Sequence, residues 1–163
     1  MAAEYPEVDL TTIPHEGSAQ ALAERVAQVM YQSDAASQLL GMKIEAVRLG
    51  YARLSMQVRD DMVNGHHTCH GGLIFSLADS AFAFACNSDN RRTVAAGAAI
   101  EFLRPGYAGD VLTAEAEVRV AGEKTGIYDI AVRNQNGETI ALFRGKSHRV
   151  RGEVVATEST PQH

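Results

Sequence analysis

From Gly71 to Cys86 the chain reads GGLIFSLADSAFAFAC, a run in which every residue except Asp79 is apolar or small. Wound as a helix from about His70 to Asn87, such a segment is hydrophobic on almost all sides and has to be buried on almost all sides. A single helix is hidden that way only where a sheet curls around it and something covers the remaining face, which predicts an α+β fold. Within it, Asp79 is a lone carboxylate in an apolar setting. An ionised carboxylate there is costly unless paired or hydrogen-bonded, and groups of this kind are candidates for functional sites. Immediately upstream, Asn64, His66, His67, Cys69 and His70 form a dense polar cluster at the entrance to the same helix.

The flanking sequence supplies the sheet. Leu54, Met56 and Val58 alternate with Arg53, Ser55, Gln57 and Arg59. Downstream, Leu112, Ala114, Ala116, Val118 and Val120 alternate with Thr113, Glu115, Glu117 and Arg119. Period-two alternation marks half-exposed antiparallel strands. Tyr128, Ile130 and Val132 continue it, and Asn136-Gly137 is a hairpin signal ahead of a strand over 139–150. The predicted order is a surface helix, two strands, the long helix and four strands, giving a curved antiparallel sheet of about five to six strands. The surface helix is read from Ala19, Leu22, Val26, Val29 and Met30, with Ser18 as N-cap and a further short helical turn over 34–40 stopped by Gly41. Residues 1–17 and 151–163 lack periodicity and are expected to be flexible tails around a single domain, 18–150.

Composition narrows the function classes. With 163 residues the chain fits one domain with a real core. Its 15 Lys and Arg against 20 Asp and Glu give a net charge of -5, which argues against nucleic-acid binding. The apolar run is shorter than the roughly 20 residues a membrane span requires, and no signal peptide is read in the polar, proline-interrupted start. The two cysteines, Cys69 and Cys86, have no CxxC spacing. A reducing, cytoplasmic setting is expected.

Gly71 and Gly72 follow His70 at the predicted helix start, where free backbone N–H groups and the positive end of the helix dipole suit a carbonyl oxygen gaining negative charge. The same glycines also serve a tight entry against a neighbouring strand. Asp79 lies eight residues beyond Gly71, roughly 12 Å along the axis, too far for one substrate carbonyl to touch both groups of one chain. If both are catalytic, Asp79 of one subunit faces Gly71 of an antiparallel partner in a C2 dimer. The alternative for Asp79 is a structural carboxylate bonded to a strand amide or an arginine. A metal-dependent hydrolase using His66, His70 and Asp79 is a competing function. A nucleophilic Cys69 and a simple turn role for Asn64 are open as well.

The segments Asn64–Asp79, Ala81–Asn87, Phe102-Leu103-Arg104-Pro105-Gly106, Thr125–Asp129 and Ala141–Arg149 together resemble the PaaI-type hotdog-fold thioesterases of phenylacetic acid degradation, over roughly residues 34–150. The resemblance implies a long helix wrapped by an antiparallel sheet, dimers formed through a continuous sheet, and a homotetramer built as a dimer of dimers. It also implies hydrolysis of acyl-CoA thioesters, phenylacetyl-CoA and its ring-hydroxylated forms above all. Asp79 matches the catalytic carboxylate, Gly71 the polarising amide, and Asn64 and His70 the groups that position substrate and water. No cofactor is implied beyond the coenzyme A of the substrate. Phe75 and Phe82 are candidates for an acyl pocket, though Phe75, Phe82 and Phe84 equally suit a core. Arg104, Lys124 and Lys146 are candidate cations for the CoA phosphates. A non-catalytic acyl-CoA-binding module is a further alternative, and a dehydratase on the same fold a lesser one.

Overall fold

The computed structural model describes residues 16–156, beginning with helix α1 (Glu16–Ser33) and the short α2 (Ala35–Leu39). Strands β1 (Lys43–Arg48) and β2 (Tyr51–Gln57) precede the long helix α3 (Gly71–Cys86). After it come β3 (Arg91–Phe102), β4 (Val111–Ala121), β5 (Thr125–Arg133) and β6 (Thr139–Glu153). The six strands form one antiparallel sheet in the order β1-β2-β4-β5-β6-β3. This is the α+β hotdog arrangement, with two strands before the helix and four after it.

Burial of α3 follows from its composition. Ile74, Leu77, Ala78, Ala81, Phe82 and Phe84 are buried against inward residues of the sheet, among them Leu54, Leu112, Ala114, Ile130 and Phe143. Contact is closest at Gly145 of β6, where an added Cβ would stand 2.8 Å from the Phe82 ring. No side chain other than hydrogen fits between that strand and the helix. Phe82 is tilted against Tyr128 and Phe143, with centroids 5.5 and 6.1 Å apart. The sheet can therefore wrap tightly around the helix at this point.

Three expectations shift at their edges. The described part of α1 begins at Glu16, placing Ser18 inside the helix instead of at its cap, and α2 is the expected short helical turn. At the other end, β6 continues through Glu153 instead of fraying after Val150. Asn90 explains that continuation: its side chain donates to the Val155 carbonyl and accepts from the Val155 amide, both at 2.9 Å, and Val155 is buried. In β4 the alternation stops after Val118, because a register shift between Val118 and Val120 leaves Val120 exposed. The remaining residues of the expected tails, 1–15 and 157–163, lie outside the described part.

The two sheet edges differ. Along β1, α1 covers the edge, and Gln20 Nε2 donates to the Val47 carbonyl at 2.9 Å. Among the described residues strand β3 has no such cover, although its middle from Val94 to Ile100 is small or apolar throughout: within RRTVAAGAAIEF only Thr93 is buried, and Val94 and Phe102 are about half exposed. Among the described residues no helix is long and apolar enough to cross a membrane.

Candidate active site

The polar cluster is organised by the entry into α3. His70 is the N-cap, and its Nδ1 accepts from the Gly72 amide at 3.1 Å. With that lone pair engaged, the neutral imidazole carries its proton on Nε2 and presents a donor outward. The Gly71 amide has no acceptor among the described residues, since its position as first residue of the helix leaves it no intrahelical partner. A Cβ on Gly71 would lie 3.1 Å from the Phe102 ring, so the helix start and the end of β3 are in contact. The expected open amide at the helix start is thus present, with Phe102 as a neighbour that motif reading did not single out.

Asn64 shapes the loop ahead of this cap. Its Oδ1 accepts from the His66 amide at 2.9 Å, the Thr68 amide at 3.3 Å and the Thr68 hydroxyl at 3.2 Å. The turn role anticipated as an alternative is therefore filled by the side-chain oxygen, while the side-chain amide nitrogen takes no part in those bonds. Cys69 is buried, and burial pushes its thiol up to about 11, which leaves almost no thiolate at neutral pH and removes it as a nucleophile. Among the described residues of one chain, no three His, Cys, Asp or Glu side chains, His66, His70 and Asp79 included, are grouped to share a metal ion.

Asp79 stands apart from all of these. It makes no hydrogen bond or ion pair among the described residues, so the strand amide or arginine that the structural alternative calls for is not found among them. Burial pushes its pKa above the ordinary carboxylate value. It opens into a cleft of about 490 Å³ between α1, the second half of α3 and the start of β3, walled by Val29, Met30, Phe82, Ala83, Cys86 and Val94. Since α3 is continuous from Gly71 to Cys86, the roughly 12 Å rise separating Asp79 from the Gly71 amide stands. One chain holds the buried carboxylate and the open helix-start amide without bringing them together.

The substrate-binding candidates divide. Phe82 is a core residue that also borders the cleft. Phe75 packs edge-on against Phe143 at 5.1 Å and Phe84 is buried, so both belong to the core, with Phe75 half-buried and outside the cleft lining. Arg104, Lys124 and Lys146 are exposed and lie outside the cleft of their own chain, and Arg104 Nη1 donates to the Thr139 carbonyl at 3.1 Å. Arg92 is a cation that does line the cleft, and sequence reading missed it, as it missed Val29, Met30 and Ser33 as cleft residues. Their apolar spacing marked α1 as amphipathic, but only the packing shows what its second face meets.

Comparison with known proteins bears on the family and the fold. Residues 66–141 match the family described as the thioesterase superfamily. The acyl-coenzyme A thioesterase PaaI of Escherichia coli is 53% identical over 128 residues, spanning 78% of this chain and 91% of that protein. The solved structure of the E. coli PaaI protein from the phenylacetic acid degradation operon superposes with a TM-score of 0.81 at 51% identity, covering 82% of this chain and 97% of that one. A variant of the phenylacetic acid degradation protein PaaI from Thermus thermophilus gives 0.68 at 34% identity, covering 70% and 97%.

Proposed function

We propose, from the premise that the chain belongs to the thioesterase superfamily as an acyl-CoA thioesterase of the PaaI type, that its substrates are phenylacetyl-CoA and ring-hydroxylated phenylacetyl-CoA, released as free acid and coenzyme A during phenylacetate catabolism. The observation that carries the mechanism is Asp79, without a partner among the described residues, partly desolvated in a cleft that Arg92 also lines, and separated by about 12 Å from the open Gly71 amide on its own helix. Two antiparallel copies of α3 bring each Asp79 to the other chain's Gly71. The exposed, largely apolar edge of β3 supports that pairing, because such an edge is a template for another strand.

In this site the thioester carbonyl accepts from the Gly71 amide of one subunit, at the positive end of α3. Asp79 of the other subunit either takes a proton from water as the water oxygen bonds to the carbonyl carbon, or bonds to that carbon itself and is released by water. In both routes the C–S bond breaks, CoA leaves as a thiolate, and the acid retains one oxygen derived from the water or the carboxylate. His70 presents Nε2–H, and Asn64 its side-chain amide, to orient carbonyl or water. Arg104, Lys124 and Lys146 are retained as surface cations for the CoA phosphates, and the dimers pair into a tetramer. A cytoplasmic setting belongs to the same reading, supported by two free, buried cysteines. Release of free thiol from phenylacetyl, hydroxyphenylacetyl, benzoyl and aliphatic CoA esters, compared by kcat/KM, tests the substrate assignment. A clear preference for an aliphatic ester would sink it.

A further inference from the structure

We propose that helix α1 is the acyl-selectivity element of this enzyme, with Val29, Met30 and Ser33 walling the space that receives the part of the acyl group beyond the carbonyl. The inference rests on Asp79 being the carboxylate at the reacting carbon. From Asp79 the cleft runs along α3 to Cys86, seven residues further, or roughly 10 Å at the helical rise. That depth accommodates a phenyl ring on a one-carbon spacer. Two walls of the space are anchored on α3 and β3, where among the described residues Arg92 is the one long, flexible side chain. The α3 wall is Phe82, Ala83 and Cys86, of which Phe82 is locked against Gly145. The β3 wall includes Val94 and Ala95 and belongs to the sheet.

The third wall has different physical character. Val29 and Ser33 are exposed on α1, one helical turn apart, so their side chains are free to answer to the cleft, while Met30 between them is partly buried and packs against the core as well as lining the cleft. Methionine is unbranched and adaptable, which suits a surface closing on a flat ring. The Ser33 hydroxyl donates only weakly to its own helix, 3.3 Å to the Met30 carbonyl and 3.5 Å to that of Val29. It can turn from those contacts to a hydroxyl on the ring. Replacing such a contact changes discrimination between two substrates more than it changes either the fold or the reacting centre.

The test compares wild type with Val29→Trp, which fills the cleft from an exposed position, and Ser33→Leu, which removes the hydroxyl. Each is assayed on acetyl-CoA, hexanoyl-CoA, phenylacetyl-CoA and hydroxyphenylacetyl-CoA, with circular dichroism and size checked against wild type. Val29→Trp is expected to lower the ratio of kcat/KM for phenylacetyl-CoA over acetyl-CoA by ~10-fold or more, and Ser33→Leu to lower the ratio of hydroxyphenylacetyl-CoA over phenylacetyl-CoA by a similar factor. Wild-type ratios in folded Val29→Trp and Ser33→Leu proteins would overturn the proposal. If Val29→Trp does not fold, the Ser33→Leu ratio decides. Should wild type prefer hexanoyl-CoA, the aryl assignment fails by itself, and the ratio of hexanoyl-CoA to acetyl-CoA in Val29→Trp still decides the role of α1.

Discussion

Asp79 costs the fold something that an active site needs. Its pKa is raised by burial, and no partner among the described residues offsets the loss of water. A folded-state pKa above the unfolded value means the associated stability is present below the unfolded value, about 3.9, and is lost as pH rises through the folded one. Asp79→Asn is therefore expected to raise the melting temperature at neutral pH, with the advantage over wild type vanishing below about pH 4. In the proposed mechanism the same substitution removes the base or nucleophile, and it is expected to lower kcat on phenylacetyl-CoA by ~10³-fold. His70 separates two roles that share one side chain. His70→Ala loses the cap on Gly72 and is expected to cost about 1 kcal/mol in denaturant unfolding, whereas His70→Asn restores the cap but leaves kcat low, because the Nε2 donor is gone. These residues were legible because an isolated charge in an apolar run and a glycine pair after a histidine need no distant sequence to be noticed. For Asn64, the sequence allowed both a turn and a site role, and the three bonds to its Oδ1 now assign the turn to that oxygen.

At the scale of elements, the grip of β6 on α3 depends on Gly145. A methyl there would stand 2.8 Å from the Phe82 ring, and Phe82 is enclosed by Tyr128 and Phe143. Gly145→Ala is expected to destabilise by about 1–3 kcal/mol in denaturant unfolding, with Phe82→Leu in the same chain recovering part of the loss. Element order and type were readable because α3 is uniformly apolar and β4 and β5 alternate over long stretches. The misplaced boundaries have local causes that periodicity does not register: the register shift before Val120, and the Asn90 side chain that holds the chain at Val155. The cleft escaped notice for a related reason. It is built from α1, α3 and β3, segments far apart along the chain, so no motif spans it.

On the scale of the whole molecule, two features of one chain underlie the proposed shared site. Its carboxylate and its open amide are about 12 Å apart on one helix, and among the described residues its β3 edge is exposed over almost its whole length. In the proposed dimer, a two-fold partner joined along β3 accounts for both. Introducing Asp at Ala98 and Ala99 together sets like charges near the axis of such a pair, and both positions are exposed in the single chain, so the fold tolerates them. Light scattering is expected to show monomers and the thioesterase assay a loss of activity, whereas an active assembly of wild-type size would argue for another interface. The sharing of the site itself is tested most directly by complementation. Chains carrying Asp79→Asn and chains carrying Gly71→Val, each inactive as a homodimer, are co-expressed and the mixed dimers counted by native mass spectrometry. A shared site leaves one intact centre in every mixed dimer, so random pairing restores about a quarter of wild-type activity per chain. If mixed dimers form and activity stays at the level of the separate variants, Asp79 and Gly71 do not act across the interface.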